Sequence, residues 1–125
     1  MKKVKISVGK HDIVVNLRNT DTANAVYEAC PFTSIANTWG KEIYFDTNIQ
    51  AVKEDDSKQI IIKGEMAFWV EGSAIAIGFG PTPVSVGDEI RLVTDVNIFG
   101  KTNFNLDLLE EIKSGENIKV EKYEF

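Results

Sequence analysis

The chain has 125 residues, 43% of them apolar and 26% charged, and a net charge of −5. That length suits one domain, 1–125, able to bury a sizeable core. The negative balance argues against nucleic acid or an anionic membrane surface as partners, since both demand a positive field, and no apolar run approaches the ~18 residues that span a bilayer.

Val4, Ile6 and Val8 alternate with Lys3, Lys5 and Ser7, which predicts a half-buried opening strand. Met1-Lys2-Lys3 leads into that alternation and not into an apolar segment, so no export signal is expected. Gly9-Lys10-His11-Asp12 reads as a turn, and residues 13–17 as the returning strand. His11, the only histidine, is expected in solvent on the hairpin tip.

Thr20 or Asp21 can cap a helix, because their side chains accept hydrogen bonds from free first-turn N–H groups. Ala23, Val26, Tyr27 and Cys30 follow the spacing of one apolar stripe. Pro31 ends the helix by disfavouring helical geometry at Cys30. Cys30 is expected to be an inert packing thiol. As the only cysteine it excludes an internal disulfide, and with no N-x-S/T acceptor present a cytoplasmic location is expected.

Residues 32–45 read as two short strands around a bend at Gly40, with Ile35, Trp39, Ile43 and Phe45 as the bulky members. A turn at 46–48, a strand at 49–52 and an exposed acidic loop at 54–57 follow. The loop lacks the D-x-D-x-D-G spacing of a calcium site. A short apolar strand at 59–62 leads into residues 64–83, GEMAFWVEGSAIAIGFGPTP. There Met66, Phe68 and Val70 alternate with Ala67 and Trp69, and Ile75, Ile77 and Phe79 with Ala76 and Gly78. Glu71-Gly72-Ser73 supplies the turn of this hairpin, and Pro81 and Pro83 stiffen the loop after it.

Beyond the Gly87-Asp88 turn, residues 89–93 and 96–99 read as strands broken by Gly100. A second helix begins at Asn105, presents Leu106, Leu109 and Ile112 with Leu108, and stops at Ser114-Gly115. Ile118 and Val120 mark a closing strand, and Tyr123 and Phe125 finish the chain. Eight or more short strands are too many for one flat sheet of this length. A mainly β fold is predicted, a closed barrel with two short helices over its ends. Periodicity alone leaves an OB-fold or a cupin-like roll open.

Three pieces in order are more specific: NTWGKEIYF at 37–45, GExxFW through GPTP at 64–83, and VNIFGK at 96–101. With the flanking hairpin, helix and closing strand, they resemble the small prokaryotic cyclophilin-like family, single-domain cyclophilin-fold proteins of bacteria and archaea. The resemblance covers nearly the whole chain. It implies an eight-stranded antiparallel barrel closed by a helix at each end, and distant kinship with the cyclophilins, which are peptidyl-prolyl isomerases. It carries no activity of its own.

Cyclophilin chemistry needs an apolar slot for proline and an arginine donor that favours the pyramidal nitrogen of the transition state. The F-H-R and F-M-x-Q-G-G-D-F runs that resemble this machinery are missing, and Arg18 and Arg91 match neither. Where cyclophilins carry a histidine before their V-V-F-G-K stretch, this chain has Val96. Isomerase activity is therefore the second reading.

The first reading is binding of a small ligand or extended peptide at an aromatic-lined cleft. Trp39, Phe45, Trp69, Phe79 and Phe99 would form its walls, with Glu42, Asp46 and Asn97 as polar fixtures. Against it stands simple core packing for the three phenylalanines and solvated strand edges for the two acids. A non-catalytic interaction module is the third reading, and the oligomeric state stays open. No cofactor is expected. One histidine and one cysteine make no zinc site, no phosphate-binding glycine loop is present, and no triad has a histidine beyond His11. A carboxylate-pair hydrolase would rest only on the abundance of Glu42, Asp46, Glu65 and Glu71.

Overall fold

Alternation in β1 (Lys3–Val8) and β2 (His11–Leu17) sends Val4, Ile6, Val8, Ile13, Val15 and Leu17 into one core. A computed structural model describes residues 2–124 of the chain. Met1 and Phe125, read above as part of the basic start and as the final aromatic, lie outside the described residues. The β1–β2 turn holds only Gly9 and Lys10, because Val8 already pairs with His11. Gly9 has φ +57°, as primed hairpin turns require.

His11 consequently belongs to β2 and is buried, not solvated on a tip. Its Nε2 lies 3.1 Å from Glu111 Oε1, and its ring meets Phe104 edge-on at 5.8 Å.

Helix α1 (Asp21–Ala29) is capped by Thr20, whose hydroxyl accepts from Ala23 N at 3.2 Å. It ends at Cys30, where the Cys30–Pro31 bond is the cis peptide among the described residues. The bonds before Pro81 and Pro83 are trans. Cys30 is buried, its thiol donates to Val26 O at 3.3 Å, and burial pushes its pKa up to about 11. A packing thiol fits all three facts.

The strands β3 (Phe32–Ile35), β4 (Asn37–Thr38), β5 (Glu42–Asp46), β6 (Lys58–Ile61), β7 (Glu65–Trp69), β8 (Ala74–Gly78), β9 (Ile90–Lys101) and β10 (Asn117–Lys122) complete the set. All pairings are antiparallel, in the order β3-β10-β1-β2-β9-β7-β8-β5-β4. These nine strands form a nearly closed barrel. Its end strands, β3 and β4, are separated only by Ala36. Ala36 N donates to Glu116 O at 2.8 Å, and Ala36 O accepts from Gly115 N at 2.9 Å. The path has nine strands and not the expected eight because segment 32–38 is interrupted at this residue.

β6 stands off the path and pairs only with β9. Residues 90–101 form one strand and not two, since 94–95 contain no glycine or proline to stop it. Its first part pairs with β6, and its second with β7 and β2. Residues 49–52 are irregular and not a strand. Ile49 alone is buried, Val52 is 84% exposed, and no ladder partner exists.

The acidic loop is likewise no free tip. Glu54 accepts from Thr22 N at 3.2 Å and from Thr22 Oγ1 at 2.7 Å, and Asp56 pairs with Arg18 at 2.7 Å. The second helix is one short 3-10 helix, Leu106–Glu111, with Asn105 accepting from Asp107 N at 3.3 Å. Leu106, Leu109 and Ile112 are buried in the core as expected, whereas Leu108 is exposed and stands outside that face. No described helix is long and apolar enough to cross a membrane.

Candidate ligand-binding site

Strand alternation gives the barrel wall two apolar faces. Ile43, Phe45, Met66, Phe68, Ile75 and Ile77 point inward to the main core. Tyr44, Ala67, Trp69 and Ala76 point outward, where Ile61, Ile90, Leu92, Val96 and Ile98 form a second core. Apart from Ile98, which pairs with Ala67 of β7, that outer layer is the strap made by β6 and the first part of β9. Small residues beneath it are required. A Cβ on Gly78 would come within 2.5 Å of Ile90 Cγ2.

Between strap and wall lies a cleft of about 250 Å³. Ala74 and Ala76 line it from the barrel wall with Glu42, Tyr44 and Trp69, while Leu92, Val93 and Val96 line it from the strap. Trp39 completes the lining. Its backbone N–H donates to the backbone O of Glu42 at 3.0 Å, and Gly40 between them takes φ +60°. Gly40 sits against the proline loop, where a Cβ would meet Thr82 Cα at 2.9 Å. Lys41 N donates to Pro81 O at 3.0 Å, and Phe79 N to Lys41 O at 2.8 Å. The first two sequence signatures thus grip each other and hold Trp39 beside Glu42.

Trp69 is fixed differently. Its indole folds back over the β7–β8 turn, and a Cβ on Gly72 would lie 2.2 Å from Trp69 Cε3. Its ring does not stack on Trp39 or Tyr44; the ring contact among the described residues is that of His11 with Phe104.

Two residues that line this apolar cleft carry buried polar atoms without partners. Glu42 is 6% exposed, and its Oε1 is buried with no hydrogen bond. Burial raises its pKa from 4.5 to about 7. Trp69 Nε1 is the second buried, unpartnered atom. No ion pair among the described residues reaches Glu42, for Lys41 pairs with Glu110 at 3.6 Å and Arg91 with Glu89 at 2.6 Å. A third such atom, Glu54 Oε1, belongs to the loop tether and not to the cleft.

Of the eight residues proposed from sequence, Trp39, Glu42 and Trp69 meet in the cleft. Phe45, Phe79 and Phe99 are buried in the barrel core. Asp46 lies in a separate groove with Phe32, Thr33 and residues 47–50. Asn97 is 0% exposed; its Nδ2 donates to Thr22 Oγ1 at 3.0 Å and Val52 O at 2.9 Å, and its Oδ1 accepts from Glu54 N at 2.9 Å. It ties α1, the loop and β9 together.

Tyr44 and the three strap residues escaped the sequence reading. Period two from Glu42 points to Tyr44, whereas nothing local shows that Leu92, Val93 and Val96 fold over β8. Both arginines are occupied elsewhere. Arg18 donates to Ile98 O at 2.8 Å and pairs with Asp56, and Arg91 pairs with Glu89. No group of three histidine, cysteine or acidic side chains able to hold a metal occurs among the described residues.

A family model described as cyclophilin-like matches residues 2–121. The solution structure of the hypothetical protein AF2241 from Archaeoglobus fulgidus is similar at 34% identity and a TM-score of 0.83, covering 98% of this chain and 95% of that one. McbB, solved in complex with tryptophan, is similar at 14% identity and a TM-score of 0.60, covering 94% of this chain and 44% of that one. At that identity the likeness speaks for the fold alone. No curated protein matches the sequence.

Proposed function

The chain belongs to the cyclophilin-like family, and on that premise we propose that it binds a small ligand in the cleft between Trp39, Glu42 and Trp69, without proline isomerisation. The observation that carries this is the pair of unpartnered buried atoms, Glu42 Oε1 and Trp69 Nε1, on two residues that line one apolar cleft. Native proteins leave few buried polar atoms unsatisfied, and each costs about 1–3 kcal/mol. A ligand that answers both recovers that cost while its body fills apolar space. The cleft volume, about 250 Å³, lies near the lower end of ligand pockets, which favours a small molecule over an extended peptide. No arginine lines it, so the donor that cyclophilin-type catalysis employs is missing there.

Trp39 and Trp69 are the only tryptophans, so the protein carries two indole N–H signals, both reporting on the cleft. In two-dimensional proton–nitrogen spectra, a screen of small apolar fragments with one or two polar groups is expected to move both signals saturably. Indole signals that stay still across such a screen would overturn the proposal. Turnover of a proline peptide, lost on Trp69→Ala in a folded protein, would restore the isomerase reading.

A further inference from the structure

Resting on that reading, we infer that the ligand is a small organic ammonium compound: a cation for Glu42, a neutral hydrogen-bond acceptor for Trp69 Nε1, and a compact apolar body. Among the described residues no cation pairs with Glu42, and Lys41, Arg91 and Lys58 are held by Glu110, Glu89 and Glu65 at 3.6, 2.6 and 2.8 Å. A buried carboxylate without a counter-charge is costly, and an opposite charge arriving beside it restores the ionised form. The indole N–H asks for the reverse: it is donor-only, so its partner must accept. An anionic ligand would answer Trp69 but face Glu42 as a like charge. The aromatic rings of Trp39, Tyr44 and Trp69 in the lining add attraction for a cation over their faces.

Three probes with one isobutyl skeleton separate the alternatives. Leucinol carries an ammonium and a hydroxyl, 4-methyl-1,2-pentanediol replaces the ammonium by a second hydroxyl, and 2-hydroxy-4-methylpentanoate is an anion. Titrations followed on the two indole signals are expected to rank leucinol at least about tenfold tighter than the diol, with the anion weakest. Glu42→Gln is expected to remove the preference for leucinol over the diol.

A pH series gives a readout independent of the variant. An alkylamine stays protonated through about pH 8, while Glu42 titrates near 7. Tyr44 is the other ionisable side chain in the lining, and Gly78, Ile61 and Ile90 pack near Glu42 from β8 and the strap. Leucinol affinity is expected to rise about tenfold from pH 6 to 8, and diol affinity to stay level or fall. Equal binding of leucinol and diol, or a flat pH series, overturns the ammonium assignment and leaves the cleft a ligand site. Indole signals unmoved by all three probes overturn the assignment as well. If the fragment screen also leaves them still, the binding reading fails with it.

Discussion

Glu42 couples the fold to pH. A glutamate in the unfolded chain loses its proton near 4.5, whereas burial holds the folded carboxyl at about 7. The folded state therefore keeps a proton that the unfolded state releases. Its contribution to stability is fully present below about pH 4.5 and is lost as pH rises through about 7. The displacement corresponds to about 3 kcal/mol. Glu42→Gln keeps the shape and stays neutral, so the variant is expected to lose this slope and to exceed the native protein in stability above about pH 7. Urea unfolding of both proteins at pH 5 and 8 checks this. A difference in free energy that is the same at both values would show that the carboxyl is solvated in the folded state.

Among the elements, the most informative contrast is between segments that carry their own pattern and those built by distant partners. The first hairpin, α1 and the β7–β8 hairpin were legible because period two or a capped stripe is written in consecutive residues. Residues 49–57 were not. Their order comes from Asn97 and Thr22, which lie 43 and 32 residues from Glu54 in the chain. The motif residues that identify the family also turn out to be packing devices. Gly40 meets the proline loop, Gly100 would place a Cβ 2.7 Å from Asn16 O, and a register shift falls between Met66 and Ala67 opposite Phe99.

Asn97 tests the tether. Its removal takes this partner from Glu54 N and Val52 O at a part-buried site, and orphaned groups cost about 1–3 kcal/mol each where water cannot replace the partner. Asn97→Ala is expected to lower stability by about 2–4 kcal/mol in urea unfolding, and to disturb the amide signals of residues 22 and 52–54. A loss below about 1 kcal/mol would mean that the loop is held by Glu54 and Asp56 alone.

At the scale of the whole molecule, the cleft exists because the barrel wall is apolar on both sides. The inner face closes one core, and the strap closes a second without covering all of the outer face. Period two in the sequence set Trp69 on the face opposite Met66 and Phe68, without deciding which residues leave the barrel interior. It was silent on what covers that face, because the strap's position depends on pairing between β6 and β9, set by neither strand alone.

The same arrangement predicts uneven stability. β1 is paired on both edges, by β2 and β10, whereas β6 has only β9, with a register shift between Lys58 and Ile60. Segments with fewer neighbours open first. In native-state hydrogen exchange, the strap amides of β6 are expected to exchange at least about tenfold faster than those of β1, a difference of about 1.4 kcal/mol in opening free energy. An occupant of the cleft touches both strap and wall, so a saturating ligand is expected to slow exchange at 90–96 and leave β1 unchanged. Exchange at one common rate across β6 and β1 would show that the strap and barrel open as one unit. In that case the strap would have no local opening of its own, and the cleft would have to admit the ligand as it stands.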